Sequence, residues 1–263
     1  MTINLISDIH CRNNKFTPNF DFEKLTPADV LVIAGDIGTF VNRNKIIQKI
    51  SDNYIGKDKQ FKYLVYCWGN HDYYVTDHHW MKGHEYSYSG PLTSDNYVVI
   101  IDNIAFICSC MWSPIFNQFA ISNYMNDYVY IREFTTKKCN ELFEQNARWI
   151  LNMINMYKGM GHKIVVVTHH LPSYQLIDFR YRSGSQSILN EAFAVIDAEW
   201  QQKFFDAKPD MWLHGHSHQF MDTTINDIRF VRNPFGYDWP SVHEYLVTDF
   251  KYNHILEIDN AQS

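Results

Sequence analysis

The sequence predicts an α/β fold with a mainly parallel sheet. Short runs of apolar, β-prone residues recur along the chain, and segments with helical spacing separate several of them, as in βαβ units. Five of these runs also pass directly into polar clusters of Asp, Asn and His. Strand ends followed by loops are where open α/β sheets collect their ligands.

In chain order, Ile3 to Ile6 reads as a buried strand ending at Asp8, and Val30 to Ala34 as a second ending at Gly35-Asp36. A helix is expected from about Asn44 to Asn53, then a strand from Tyr63 to Cys67 running into Gly69. Val98 to Ile101 and Ile104 to Cys108, joined by Asp102-Asn103, form a hairpin pattern. Residues 112–135, rich in Asn, Tyr and Phe without periodicity, are expected to be an irregular insertion. Leu142, Phe143, Ala147, Ile150, Leu151 and Ile154 mark the longest helix, Lys137 to Tyr157, stopped by Gly159 and Gly161. Lys163 to Thr168 is a strand, 190–206 a helix, and Met211 to His214 a strand. A hairpin across Asn226-Asp227 comes next, with a last strand at Tyr245 to Phe250 or His254 to Ile258.

With 263 residues, 46% hydrophobic, no repeat and no Ser/Gly linker, one domain spanning 1–263 is the simplest expectation. The high aromatic content reads as a bulky core with a Tyr-lined surface. A net charge of −6 provides no basic footprint for a dedicated nucleic-acid binder. It leaves a nucleotide substrate open, because bound metals would supply local positive charge. Cys11, Cys67, Cys108, Cys110 and Cys139 are odd in number and lack CxxC spacing, so reduced thiols in a cytoplasmic protein are expected. Met1 leads quickly into the first polar cluster, and no signal peptide is expected. The most apolar stretch, Val98 to Trp112, is interrupted at Asp102-Asn103 and too short to span a bilayer.

The five clusters are Asp8-Ile9-His10, Gly35-Asp36, Gly69-Asn70-His71-Asp72, Thr168-His169-His170 and Gly215-His216-Ser217-His218. Taken singly, each has a duller explanation. Asp36 could bond its own backbone in a Gly-Asp turn, and His10 could be a loop histidine. Their shared placement after apolar runs points instead to an assembled two-metal site, since Asp, Asn and His hold hard or borderline divalent ions. A ligand bridging two cations needs two acceptor lone pairs, which suits the Asp36 carboxylate. His214 is expected to pack in the core. His78, His79 and His84 form a His-rich loop, read as exposed by default.

This series, running from Asp8 to His218, resembles the calcineurin-like metallophosphoesterase family. The resemblance implies a four-layer α/β/β/α sandwich of two mixed β-sheets flanked by helices. It implies one ion held by Asp8, His10, Asp36 and His218, and another held by Asp36, Asn70, His169 and His216. His169 is preferred to His170 because it comes directly after the strand. A protonated His71 would serve as general acid, with Asp72 orienting or charge-stabilising it. The later Asn233-Pro234-Phe235-Gly236-Tyr237 is similar to a segment of some bacterial and phage members.

Two divalent ions about 3.5–4 Å apart share one water, lower its pKa and clamp a phosphoryl group for in-line attack. The expected function is therefore metal-dependent hydrolysis of a small or nucleotide-type phosphoester. Manganese is the first choice in vitro, and iron, zinc, nickel or cobalt also suit the donors. Asp36 is followed by Ile37-Gly38-Thr39-Phe40 and not by the Asp-Arg-Gly of phosphoprotein phosphatases, which argues against that subtype. A diester is preferred because it brings less charge needing cationic partners. The alternatives are a nuclease with this metal core and a non-catalytic scaffold of the same fold.

Overall fold

The computed structural model describes residues 1–12, 19–74, 96–184, 187–237 and 249–259. Strands β1 (Thr2–Ile6), β2 (Ala28–Ala34) and β3 (Phe61–Cys67) run parallel. After them come β4 (Tyr97–Ile101), β5 (Ile104–Ser109), β6 (Lys163–Thr168), β7 (Met211–Leu213), β8 (Met221–Ile225), β9 (Ile228–Arg232) and β10 (Ile255–Glu257). The strands form two sheets, ordered β10-β1-β2-β3 and β4-β5-β6-β7-β9-β8. Within the second, β5, β6, β7 and β9 are parallel. The antiparallel pairings lie at the margins, where β10, β4 and β8 join. Both sheets are therefore mixed, with parallel centres.

The period-2 alternation of strand side chains produces the layering. Val30, Val32 and Ala34 of β2 meet Phe106, Cys108, Val165 and Val167 in the core between the sheets. Leu31 and Ile33 point the other way, onto Ile46, Ile47 and Ile50 of helix α1 (Arg43–Tyr54). On the outer face of the larger sheet, Ala105, Ile107, Ile164 and Val166 meet Phe143, Ala147, Ile150 and Ile154. Those last four residues lie on one face of a 24-residue helix, Thr136–Gly159. Each such aliphatic or aromatic side chain contributes about 1.5–3 kcal/mol by leaving water. Two β-sheets flanked by helices are thus the observed architecture.

Two elements differ from expectation. Residues 112–135 contain short helices α2 (Gln118–Tyr124) and α3 (Asp127–Tyr130), after which the long helix is α4. The Asn117 side chain starts α2 by accepting the Ala120 N–H at 3.1 Å. The single helix expected over 190–206 is broken. A 3-10 segment at Ser187–Ala192 gives way to extended backbone, where Ala194 bridges Leu171, and α5 begins only at Ala198 and ends at Ala207. Asp197 caps α5 by accepting from the Trp200 N–H at 2.9 Å, so the new start is chemically specified. Both hairpin turns use left-handed residues, Asp102 in one and Asn226 with Asp227 in the other. β10 falls within the second alternative for the last strand, and residues 245–248 of the first lie outside the described residues.

Candidate metal centre

The parallel strands β1, β2, β3, β6 and β7 each release one cluster at their C-terminal ends, and the loops are stitched together there. Asp8 N–H donates to Gly35 O at 3.1 Å, His10 N–H to Asp36 O at 3.0 Å, and Gly215 N–H to His169 O at 3.1 Å. Asp8, His10, Asp36 and His216 all have positive φ, between 50° and 68°. Such backbone costs free energy, though Asp and His tolerate it better than most residues, and it concentrates at functional sites. Two glycines allow the close approach. Gly35 has φ +86°, and a Cβ on Gly69 would lie 2.6 Å from Asp36 N and 2.8 Å from its Cγ.

The side chains form three groups whose ligand atoms lie within 4.8 Å of one another: Asp8, His10 and His218; Asp36, His169 and His216; and His10, Asp36 and His71. Asp36 of the second group and His10 of the first meet in the third, which links the two. Its Oδ2 is 3.3 Å from His169 Nε2 and 3.9 Å from His10 Nδ1. His218 Nε2 is 3.4 Å from Asp8 Oδ1 and 3.3 Å from His10 Nε2. Asn70 joins through Oδ1, 3.1 Å from His169 Nε2. Backbone carbonyls orient two of the rings: Ala34 O takes His169 Nδ1 at 2.9 Å, and Ala192 O takes His216 Nε2 at 3.1 Å. With that ring nitrogen engaged, the other one is turned toward the site and can offer a cation its lone pair once it carries no proton, the arrangement found around bound metals.

Residues 1–220 match the family model described as calcineurin-like phosphoesterase. The chain belongs to this family. No protein of curated function matches the sequence. Among solved structures it is similar to a phosphopantetheinyl hydrolase from Mycobacterium tuberculosis, with 14% identity and TM-score 0.62, covering 94% of both chains. A dimetal phosphatase from Danio rerio matches at 13% identity and TM-score 0.49, covering 88% of this chain and 86% of that one. The zinc-complexed Vps29 of Entamoeba histolytica matches at 12% and 0.34, covering 92% and 79%. At 14% identity the likeness to the mycobacterial hydrolase is one of fold.

The electrostatics of this calcineurin-like centre suit cations. Burial alone would raise Asp8, yet the hydrogen bond with His218 and the fields of His169 and His10 hold it well below the carboxylate range. Burial, with Asp8 and Asp72 repelling, pushes Asp36 up to about 7 against the pull of His169. Burial lowers His169, but Asp36 and Asp8 outweigh it and hold the ring at about 9. Asp36 and His169 thus keep a proton where a cation could stand. His10 and His216 are pushed well down by burial and by neighbouring histidines, so they are neutral donors. Two carboxylates, four imidazoles and an amide oxygen converging in this way fit two divalent ions.

The expectation for Asp72 is corrected. Its carboxylate does not orient the His71 ring; it accepts backbone N–H groups from Asp36 at 2.9 Å, Gly69 at 2.8 Å and Gly38 at 3.2 Å. His71 and Asp72 are successive residues of a 3-10 turn, His71–Tyr73, so their side chains point about 120° apart. Asp72 is fully buried, with the Arg43 side chain donating to its carbonyl from behind. His71 does line the cavity. Burial, aided by His169 and His218, pushes it down to about 3, so its resting form is neutral and not the expected imidazolium.

His170 belongs to none of the three groups. Its ring lies 4.4 Å from His216 and 5.1 Å from Trp112, with Nδ1 3.3 Å from Cys110 O. His214 is fully buried and also outside them. His78, His79 and His84 lie outside the described residues. Two residues at the site are not foreseen from sequence. Tyr237 stacks on His10 at 4.3 Å and reaches His71, and its only signal was the Asn-Pro-Phe-Gly-Tyr segment. Asp127 of α3 binds Asn70, with no sequence signal beyond its being an Asp in an aperiodic stretch.

Proposed function

We propose that the chain is a metal-dependent phosphoesterase that prefers diesters of small or nucleotide-type alcohols. The observation that carries this is two adjoining ligand groups, Asp8 with His10 and His218 and Asp36 with His169 and His216, of which Asp36, His216 and His218 line a cavity of about 640 Å³. In this reading Asp8, His10, Asp36 and His218 hold one divalent ion, and Asp36, Asn70, His169 and His216 the other. Bound there, the ions would supply Lewis acidity and a water acidic enough to ionise near neutral pH. The protein holds the phosphoryl group in reach of His71 and walls off the rest of the substrate. His71 gives a proton or hydrogen bond to the departing oxygen. Its neutral resting state is offset when a phosphate anion arrives beside it.

The remaining wall supports the diester preference. Tyr124, Met125, Ile177, Tyr181, Leu189 and Phe193 line it, and no Lys or Arg appears among the described lining residues. A monoester dianion would call for such a cation more than a diester does. The five cysteines are all free and buried, which supports a reducing, cytoplasmic setting. No described helix is long and apolar enough to cross a membrane.

The test is a panel of mono- and diesters, including cyclic nucleotides and phosphopantetheinyl esters, assayed with and without added manganese. The last class is included because of the structural likeness to the mycobacterial hydrolase. Metal-dependent turnover of bis(p-nitrophenyl) phosphate well above the monoester is expected. Absence of metal-dependent turnover across the whole panel would leave the non-catalytic scaffold as the better account.

A further inference from the structure

Asp127 is a buried carboxylate with no part in the chemistry described so far, yet it touches the centre. Its Oδ1 accepts from Asn70 Nδ2 at 2.7 Å and from the Tyr74 hydroxyl at 2.7 Å. It opens α3, directly after Tyr124, Met125 and Asn126, which line the cavity. The Asn70 amide has two ends of nearly equal size, an acceptor oxygen and a donor NH2. With the NH2 tied to Asp127, the oxygen is left facing His169 Nε2 at 3.1 Å. The opposite rotamer would aim N–H groups at the site and offer a cation no lone pair. The His169 ring favours this orientation only while Nε2 carries a proton, which a cation bound there would displace. The ionised Asp127 carboxylate can only accept, so it holds the amide this way whether or not a cation has replaced that proton.

We propose that Asp127 is a positioning residue that fixes the Asn70 amide with its oxygen toward Asp36 and His169, and so sets the affinity for the second cation. This rests on the reading of Asn70 as a ligand. It also means that the segment forming one wall of the substrate cavity determines how tightly the metal on its floor is held.

The test is titration of the metal-free full chain with Mn2+ alone, read as equivalents and affinity of each ion, beside the melting temperature of the metal-free protein. Asp127→Ala is expected to bind the first ion as wild type and the second about 10–100-fold more weakly, as for other residues that orient ligands. Asp127→Asn, which keeps an acceptor oxygen, should recover most of the loss. Tyr74→Phe should leave both ions in place. If Asp127→Ala does not fold, Asp127→Ser carries the same comparison. Equal weakening of both ions, or a wild-type second affinity, overturns the proposal. Asn70→Ala separates the two ideas. If it loses the second ion while Asp127→Ala keeps it, only the positioning role fails; if Asn70→Ala itself keeps the second ion, the ligand reading fails and the positioning role with it.

Discussion

The Tyr237 hydroxyl lies 3.1 Å from Nε2 of His71, and the two side chains share the cavity rim. Asn233 secures this arrangement. Its Nδ2 donates to Leu5 O and Lys251 O at 2.9 and 2.8 Å, while Gly236 N–H donates to Asp8 O at 2.8 Å. The segment carrying Tyr237 is thereby anchored to the end of β1, beside the metal ligands. A hydroxyl at that distance fixes the His71 ring and can share its proton. Tyr237→Phe is expected to lower kcat by about 2–10-fold, the worth of one hydrogen bond of roughly 0.5–1.5 kcal/mol. The loss should be larger for alkyl than for nitrophenyl esters, which a leaving-group series would reveal.

His71→Ala should cost more, about 10²–10⁴-fold on an unactivated ester, if the ring assists the departing oxygen. The deficit should shrink for p-nitrophenolate, which leaves without help. The melting temperature should change little, because the His71 side chain is about 20% exposed and its backbone N–H bond to Asp36 persists. Equal rates for variant and wild type on an alkyl ester would remove His71 from the chemistry.

Metal content separates the roles of Asp36 and Asn70. Asp36 belongs to the group with His169 and His216 and lies 3.9 Å from His10 of the other, so Asp36→Asn should reduce occupancy at both positions. Asn70 adjoins His169 of the second proposed position, so Asn70→Ala should mainly disturb one. Elemental analysis of the purified variants would check this. Full occupancy by two ions in Asp36→Asn is incompatible with a bridging carboxylate.

Much of this arrangement is legible in the chain because parallel strands are buried on both faces and read as unbroken apolar runs, as in Val30 to Ala34. The residues just beyond such a run are held at the sheet end, so all five clusters could be located from sequence. Partnerships between side chains could not. Asp72 adjoins His71 in sequence, but a 3-10 turn sends the two in different directions. Asp127 and Tyr237 reach the site from 57 and 166 residues beyond their partners, and no periodicity carries such a contact. The break at 193–197 was hidden because Ala194 and Val195 sustain an apolar pattern while serving an extended segment. The Asp197 cap was the available clue.

The corrected role of Asp72 has its own consequence. Asp72→Ala leaves three N–H groups, of Asp36, Gly38 and Gly69, without their acceptor in a buried turn. Each unsatisfied group costs about 1–3 kcal/mol, reduced where the turn relaxes. A loss of several degrees in melting temperature is expected, with metal binding weakened because the Asp36 loop loosens. Unchanged stability with lost activity would instead return Asp72 to the chemistry.

The pH dependence of the metal-free protein stems from the proton held by Asp36 and His169. His169 is raised from its ordinary 6.5 to about 9, so its stabilising contribution is complete below pH 6.5 and lost as pH climbs through 9. Asp36, raised to about 7, acts in the same direction and loses its contribution as pH rises through 7. The histidines pushed down by burial oppose this only below about pH 6.5, where the unfolded chain would protonate them. Between pH 6.5 and 9 the metal-free protein should therefore lose on the order of 1–3 kcal/mol, seen as a falling melting temperature. Cations bind the deprotonated groups and release these protons, so apparent Mn2+ affinity should rise over the same window. Calorimetric titration in buffers of different ionisation enthalpy would count the protons released. A metal affinity flat from pH 6.5 to 9 would mean that the cations do not replace the shared proton.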